Sequence, residues 1–244
     1  MENLNLNQDM KIAGKLTISN WDKLSKNLNC ENDDNWGLAF YFFEERIKTR
    51  YINPIKSILE VGDDLGEGFA VVNLQCSLIE TIESFINGWK FSITPYGWYK
   101  INGDKDQLIK KNQNIFESFF DKRKPFIDYK NKINGEKFYQ NVRCGLLHET
   151  QTKNNWKIRC DTAESGLAYQ EIDNGNIVEK IIYRENFQRD LEGIIENYKN
   201  AISKGEDLIG VKIQNFNGIT IEELRKNFRD KFNHICTESK PKQQ

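Results

Sequence analysis

The chain has 244 residues, with 35 lysines and arginines against 36 aspartates and glutamates, and its net charge at neutral pH is -1. This length can bury a sizeable core, and the near-neutral charge argues against a protein that grips long duplex DNA, since such proteins carry a clear positive excess. The five cysteines are far apart and form no CxxC pair, which argues against a zinc site and a disulfide framework.

The apolar runs and the N-terminal residues bear on where the protein resides. No run reaches the roughly 20 apolar residues that a membrane-spanning helix needs. Residues 1–15 are polar and lack the basic-then-apolar order of a signal peptide. Together these features predict a cytoplasmic protein without membrane contact.

The first predicted elements are a lead-in and two helices. Residues 1–38 show no sustained period and are interpreted as a turn-rich N-terminal lead-in. From 39 to about 58, apolar residues recur every three or four positions, which predicts a helix with a kink or break near Asn53, because Pro54 follows. A second helix is predicted over 65–86, and it is apolar enough to lie at the centre of a bundle.

The middle of the chain predicts a loop and two further helices. Residues 87–104 are rich in aromatic residues and glycine and are interpreted as a loop, and helices are predicted at about 105–121 and 134–151. The segment 105–132 contains eight basic and four acidic residues. This segment is the best local candidate for nucleic-acid contact, and a solvated lysine-rich surface is the alternative.

Beyond residue 151 the pattern changes from helical to β and back. The predicted elements are a strand at 156–160, a hairpin over 168–184 that turns at Asp173-Asn174-Gly175, helices at 185–204 and 220–236, and a disordered tail at 237–244. The chain is therefore predicted to be mainly α. A helical bundle spans 39–151, and residues 152–244 add a small antiparallel hairpin or sheet and closing C-terminal helices that pack on the bundle.

The chain has only two histidines, and each follows an arginine with four residues between them. The first pair, Arg143 and His148, lies on the apolar helix predicted at 134–151. The second pair, Arg229 and His234, lies in the last predicted helix beside the tail and is interpreted as solvated surface. Polar residues on a bundle helix are costly to bury and need a reason, so the first pair is the candidate site.

Arginine and histidine together suit phosphate chemistry. A guanidinium offers a rigid fork of donors to phosphate oxygens, and an imidazole titrates near neutrality and can carry a proton. Five residues along one ideal helix turn the two side chains about 140° apart. Joint action of Arg143 and His148 therefore requires a distortion at Gly145 or a second copy of the chain across a two-fold interface.

An arginine and a histidine at this spacing, on a late helix of a small helical bundle, resemble the HEPN superfamily. The resemblance covers about 39–151 and rests on Arg143 and His148. It implies a metal-independent endoribonuclease that needs no cofactor and cleaves RNA by attack of the 2′-OH. It also implies a homodimer that joins two motif helices, in a toxin–antitoxin or phage-defence system with an antitoxin or other defence protein as partner.

Three further residues are candidates for supporting roles. The residue after the motif arginine is commonly polar in that family, whereas this chain has Cys144, and Asn141 stands two residues before the arginine and offers an amide. In the helix predicted at 65–86, Glu80 lies on one polar stripe. Because a buried carboxylate needs a cationic or hydrogen-bonding partner, we expect Glu80 to face the motif helix and orient Arg143 or His148, unless the stripe faces solvent.

Two other functions remain open at this point. The chain can be a non-catalytic HEPN-like module that binds a nucleotide, RNA or a protein partner, which Cys144 and the near-neutral charge favour. It can also be an unrelated helical scaffold with His148 at its surface. The environment of His148 and the oligomeric state discriminate among the three.

Overall fold

The architecture comes from a computed structural model that describes residues 9–62, 65–102, 113–129, 132–163, 165–213, 216 and 218–239. Within these ranges the fold is mainly α, as predicted. The α-helices are α1 Ile18–Ser25, α2 Trp36–Ile47, α3 Asn53–Val61, α4 Glu67–Asn87, α5 Gln113–Lys122, α6 Gly135–Phe138, α7 Cys144–Glu149, α8 Arg184–Ser203 and α9 Ile221–Ser239. The strands are β1 Lys11–Ala13, β2 Leu16–Thr17, β3 Trp89–Ile93, β4 Tyr96–Lys100, β5 Trp156–Arg159, β6 Tyr169–Asp173 and β7 Val178–Tyr183.

Helix α4 is the centre of the fold. It packs against α2, α8 and α9, and its Phe85 ring lies 4.7 Å from the ring of Phe43 on α2 and 4.9 Å from that of Phe232 on α9. By length and composition α4 is apolar enough to cross a membrane, which corrects the expectation that no run of the chain is, and most of the helix is buried inside the protein. A helix that is apolar on nearly every side is stable in water only when it is enclosed in this way.

Regular structure begins at Lys11, which corrects the interpretation of the described part of 1–38 as a turn-rich lead-in. Strands β1 and β2 form a hairpin, and α1 follows directly. Trp21 of α1 is fully buried and donates a hydrogen bond from its indole nitrogen to Asn233 of α9 at 2.8 Å. Periodicity could not show this packing, because the partners of these short elements lie about two hundred residues away.

The helix that contains Pro54 continues through a π-helical turn. Helices α2 and α3 are joined by a π-helical turn over Lys48–Ile52, and α3 begins at Asn53, the position at which a kink or break was expected. Proline lacks a backbone N–H and its ring crowds the preceding turn, so a widened turn before Pro54 lets the helix continue.

Residues 89–100 form a β-hairpin, which corrects the loop interpretation of 87–104. Strands β3 and β4 pair antiparallel from Trp89 opposite Lys100 to Ile93 opposite Tyr96. Aromatic residues favour strands, so the composition that was interpreted as loop is the signal for this hairpin. The helix predicted over 105–121 appears as α5, Gln113–Lys122, and residues 103–112 lie outside the described part.

Strands β5, β6 and β7 form a mixed sheet, which corrects the prediction of a purely antiparallel one. The order is β5-β7-β6, with β6 antiparallel and β5 parallel to the central strand β7. The predicted hairpin is β6–β7, and Gly175 in its turn has a φ of +82°, a conformation that suits glycine. Because β5 and β6 flank β7 in opposite directions, the sheet cannot be antiparallel throughout.

The C-terminal helices belong to the same core as the bundle. One cluster of buried apolar side chains extends from Ile12 to Cys236 and includes α8 and α9, so packing shows no boundary near residue 151. Helix α9 continues to Ser239, three residues into the segment that was expected to be disordered, and residues 240–244 lie outside the described part.

Candidate functional site

The motif helix contains a π-helical turn that ends at Arg143. Helix α6, the turn Tyr139–Arg143 and helix α7 are continuous. Of the two alternatives, a distortion at Gly145 or a second copy of the chain, the first is not found, because the π-helical turn precedes Cys144. A Cβ on Gly145 would lie 2.5 Å from the carbonyl oxygen of Gln151, so glycine is required there because the chain after α7 folds back onto the helix.

Arg143 is held by Glu80 of α4, the contact that the burial argument predicted. The guanidinium Nε donates to Glu80 Oε1 at 3.1 Å, and the two side chains are 22% and 20% exposed. Burial raises the pKa of Glu80, and the charge of Arg143 opposes that rise. Burial also acts to lower the pKa of Arg143, but the charge and hydrogen bond of Glu80 outweigh it, so this pKa is raised.

Burial decides the direction of the pKa change for Glu80, whereas the contact with Glu80 decides it for Arg143. We take the ion pair as formed, since the 3.1 Å geometry is that of a charge-assisted hydrogen bond and arginine remains charged. Arg143 is therefore a fixed cation, and Glu80 is a carboxylate whose affinity for a proton is raised. Such a carboxyl group is a recognised feature of functional sites.

His148 does not join Arg143 within one chain. Arg143 faces α4, whereas His148 and its neighbour Leu147 are exposed on α7. His148 has no hydrogen bond or ion pair to any residue that the structure describes. The divergence calculated for an ideal helix therefore persists, because the π-helical turn precedes Arg143 and the residues from Cys144 onward are α-helical.

Asn141 and Cys144 differ in what they can contribute. Asn141 is buried, donates from Nδ2 to the Lys137 carbonyl at 2.8 Å and accepts at Oδ1 from Asn154 at 2.6 Å. Its amide holds the chain after α7 against the helix, and its supporting role at the site stays a prediction. Cys144 is a half-buried free thiol beside Arg143.

The second arginine–histidine pair is less exposed than expected. Arg229 donates to the Leu28 carbonyl at 3.3 Å, and His234 is half-buried. Burial, followed by the nearby charge of Lys231, lowers the pKa of His234. The interpretation of this pair as solvated surface is therefore corrected, because both residues face neighbouring elements.

A polar cleft beside the Glu80–Arg143 pair was not predicted. Its volume is about 330 Å³, and it is bounded by α2 and the π-helical turn after it, α4, β4 and α9. Arg46 and Lys231 bring positive charge to the cleft, and Glu80 lines it from α4 together with the hydroxyls of Ser77 and Thr81. The polar stripe predicted on α4 forms one wall of the cleft. Residues 46 and 231 are too far apart in sequence to form a recognisable motif.

The two cations of the cleft are perturbed by burial. Burial, together with the charge of Arg46, lowers the pKa of Lys231 to about 8. Burial, together with Arg50, lowers the pKa of Arg46 to about 10. Neither cation forms an ion pair with a carboxylate among the described residues; Arg46 donates to the Ile12 carbonyl at 2.6 Å and Lys231 to that of Trp89 at 2.7 Å.

Comparisons with known proteins add no relative. No protein-family model, curated protein or solved structure matches the chain. In the described ranges, no group of three histidine, cysteine, aspartate or glutamate side chains is placed to hold a metal ion. The functional argument therefore rests on the geometry of the motif helix and of the cleft beside it.

Proposed function

We propose that the protein is a metal-independent endoribonuclease of the HEPN type that acts as a homodimer. The observation that supports this proposal is the fixed Arg143 on the same helix as an exposed His148. Because one chain aims the two side chains in different directions, the partner chain supplies the histidine that works with each arginine. The exposed Leu147 beside His148 offers apolar surface for such an interface.

The proposed reaction needs only the two side chains and the RNA. The 2′-oxygen attacks the adjacent phosphorus and loses its proton, the bond from phosphorus to the 5′-oxygen breaks, and that oxygen gains a proton. The products are a 2′,3′-cyclic phosphate and a 5′-OH. Glu80 uses Nε of Arg143, so the terminal guanidinium nitrogens are available to the phosphate, and His148 moves the proton.

Mixing two inactive variants tests this proposal. Arg143→Ala and His148→Ala should each abolish most cleavage of a fluorescent RNA. After subunit exchange, an equimolar mixture should recover about a quarter of wild-type activity, because half of the dimers are mixed and each has one intact site. Cleavage should persist in EDTA. The matched controls Arg229→Ala and His234→Ala should remain near wild type.

The outcomes separate the proposal from its alternatives. No recovery after demonstrated subunit exchange would contradict a site shared between two chains. If folded wild-type protein cleaves no RNA in a broad set, the second candidate is favoured, a non-catalytic module. The specific observation for that candidate is the Glu80 carboxylate, which binds the motif arginine and competes with phosphate.

A further inference from the structure

In the described part of the chain, neither cation of the cleft is paired with a carboxylate, and both donate to backbone carbonyls. Lys231 is 9% exposed, yet its ammonium group is balanced by a backbone carbonyl and by the Trp98 ring, whose centroid lies 5.8 Å away. Arg46 adds a second positive charge to the same cleft. Two like charges at low exposure repel each other and are poorly hydrated, and an anionic ligand relieves both costs.

The opposite wall of the cleft presents acceptors. Thr81 Oγ1 donates to the Ser77 carbonyl at 2.9 Å, so its contact with the Tyr51 hydroxyl at 3.0 Å must have tyrosine as the donor. Ser77 Oγ donates to the Asn73 carbonyl at 3.2 Å. With their protons directed to the backbone, these hydroxyl oxygens can accept hydrogen bonds from a ligand, as can the Glu80 carboxylate.

We propose that this cleft binds a phosphorylated sugar or mononucleotide, with Arg46 and Lys231 on the phosphate and the acceptor wall on the sugar hydroxyls. A volume of about 330 Å³ is at the lower end of the range for small-molecule sites and exceeds what a phosphate group alone occupies. The carboxylate of Glu80 repels phosphate, which places the phosphate at the cationic side. This site shares Glu80 with the Arg143 ion pair, but the proposal does not rest on the proposed function.

Calorimetric titration of the full chain tests the site without RNA. AMP and ribose 5-phosphate should bind, inorganic phosphate should bind more weakly because it cannot reach the acceptor wall, and adenosine should not bind measurably. Lys231→Met should weaken AMP binding at least tenfold. The matched control Lys226→Met, an exposed lysine of α9 paired with Asp230, should bind as wild type.

Two further variants keep the test decisive. Arg46→Gln retains a donor for the Ile12 carbonyl and should weaken AMP binding independently of any change at Lys231. Thr81→Val removes an acceptor and should weaken AMP and ribose 5-phosphate several-fold while inorganic phosphate is unaffected. The proposal is overturned if neither phosphomonoester binds at millimolar concentration, if Arg46→Gln binds as wild type, or if only RNA oligonucleotides bind. Because RNA cleavage is not measured, failure here leaves the endoribonuclease proposal standing, and the reverse also holds.

Discussion

Two buried charged side chains, Glu83 and Lys231, differ in their hydrogen-bond and ion-pair partners. Glu83 accepts from Arg123 Nε at 2.5 Å, from Asn87 at 3.0 Å and from Ser118 at 3.1 Å. Lys231 has one backbone acceptor and a second cation nearby. A buried charge that has a counter-ion and hydrogen bonds maintains the structure. A buried charge without a counter-ion lowers the free energy of unfolding.

Replacement of Glu83 by glutamine should destabilise the protein by about 3 kcal/mol, because a neutral amide then replaces the carboxylate that the buried Arg123 guanidinium contacts. Glu83 and Arg123 are 0% and 1% exposed, so solvent cannot compensate. Urea unfolding measures the effect. The control Asp161→Asn removes the carboxylate of an ion pair whose side chains are 51% exposed, and it should change the free energy of unfolding by less than about 0.5 kcal/mol.

Lys231→Met should have the opposite sign and raise stability at pH 7 by about 1–3 kcal/mol, since it removes a desolvated charge and keeps the volume. The folded pKa of Lys231 is lowered from 10.5 to about 8. The unfolded chain therefore binds more protons between these values, so the cost is complete below pH 8 and disappears as pH rises to 10.5. Unfolding at pH 7 and pH 10 should show the gain shrinking, and a pH-independent gain would contradict this origin.

At the scale of elements, the spacing of apolar residues predicts helices and strands, but it does not predict where an α-helix changes to a π-helical turn. The three-and-four spacing located α4, and Asn-Gly located the β6–β7 turn. The turn that ends at Arg143 is π-helical, and no sequence pattern in residues 139–143 predicts it. The chain after α7 packs against this turn, where the Lys153 N–H donates to the Asn141 carbonyl at 2.9 Å.

Two glycines inside helices should respond oppositely to alanine. Gly145→Ala places a methyl group 2.5 Å from the Gln151 carbonyl oxygen and should destabilise by about 1–3 kcal/mol. Gly193 of α8 has open space at the same position, so Gly193→Ala should stabilise by about 0.5–1 kcal/mol through helix propensity alone. Thermal unfolding of both variants tests this difference, and equal shifts would contradict the close approach at Gly145.

At the scale of the whole molecule, the sequence predicted contacts that follow from one residue's chemistry and missed those that require the fold. The Glu80–Arg143 contact followed from the cost of burying a carboxylate. The cleft required Arg46 and Lys231 to meet across α2 and α9, and no local pattern encodes a meeting of residues that distant. The shared core has no local signal for the same reason, because both ends of the chain enclose α4.

This enclosure has a consequence for synthesis on the ribosome. Arg225 of α9 is fully buried and donates to the carbonyls of Cys30 and Asn32 at 3.2 and 2.7 Å, and to that of Ile202 at 3.0 Å. The segment that is translated early is thus secured by a side chain that emerges late. Until α9 emerges, Phe43 and Phe85 lack their neighbour Phe228, and nascent chains with such exposed aromatic surface attract chaperones or aggregate.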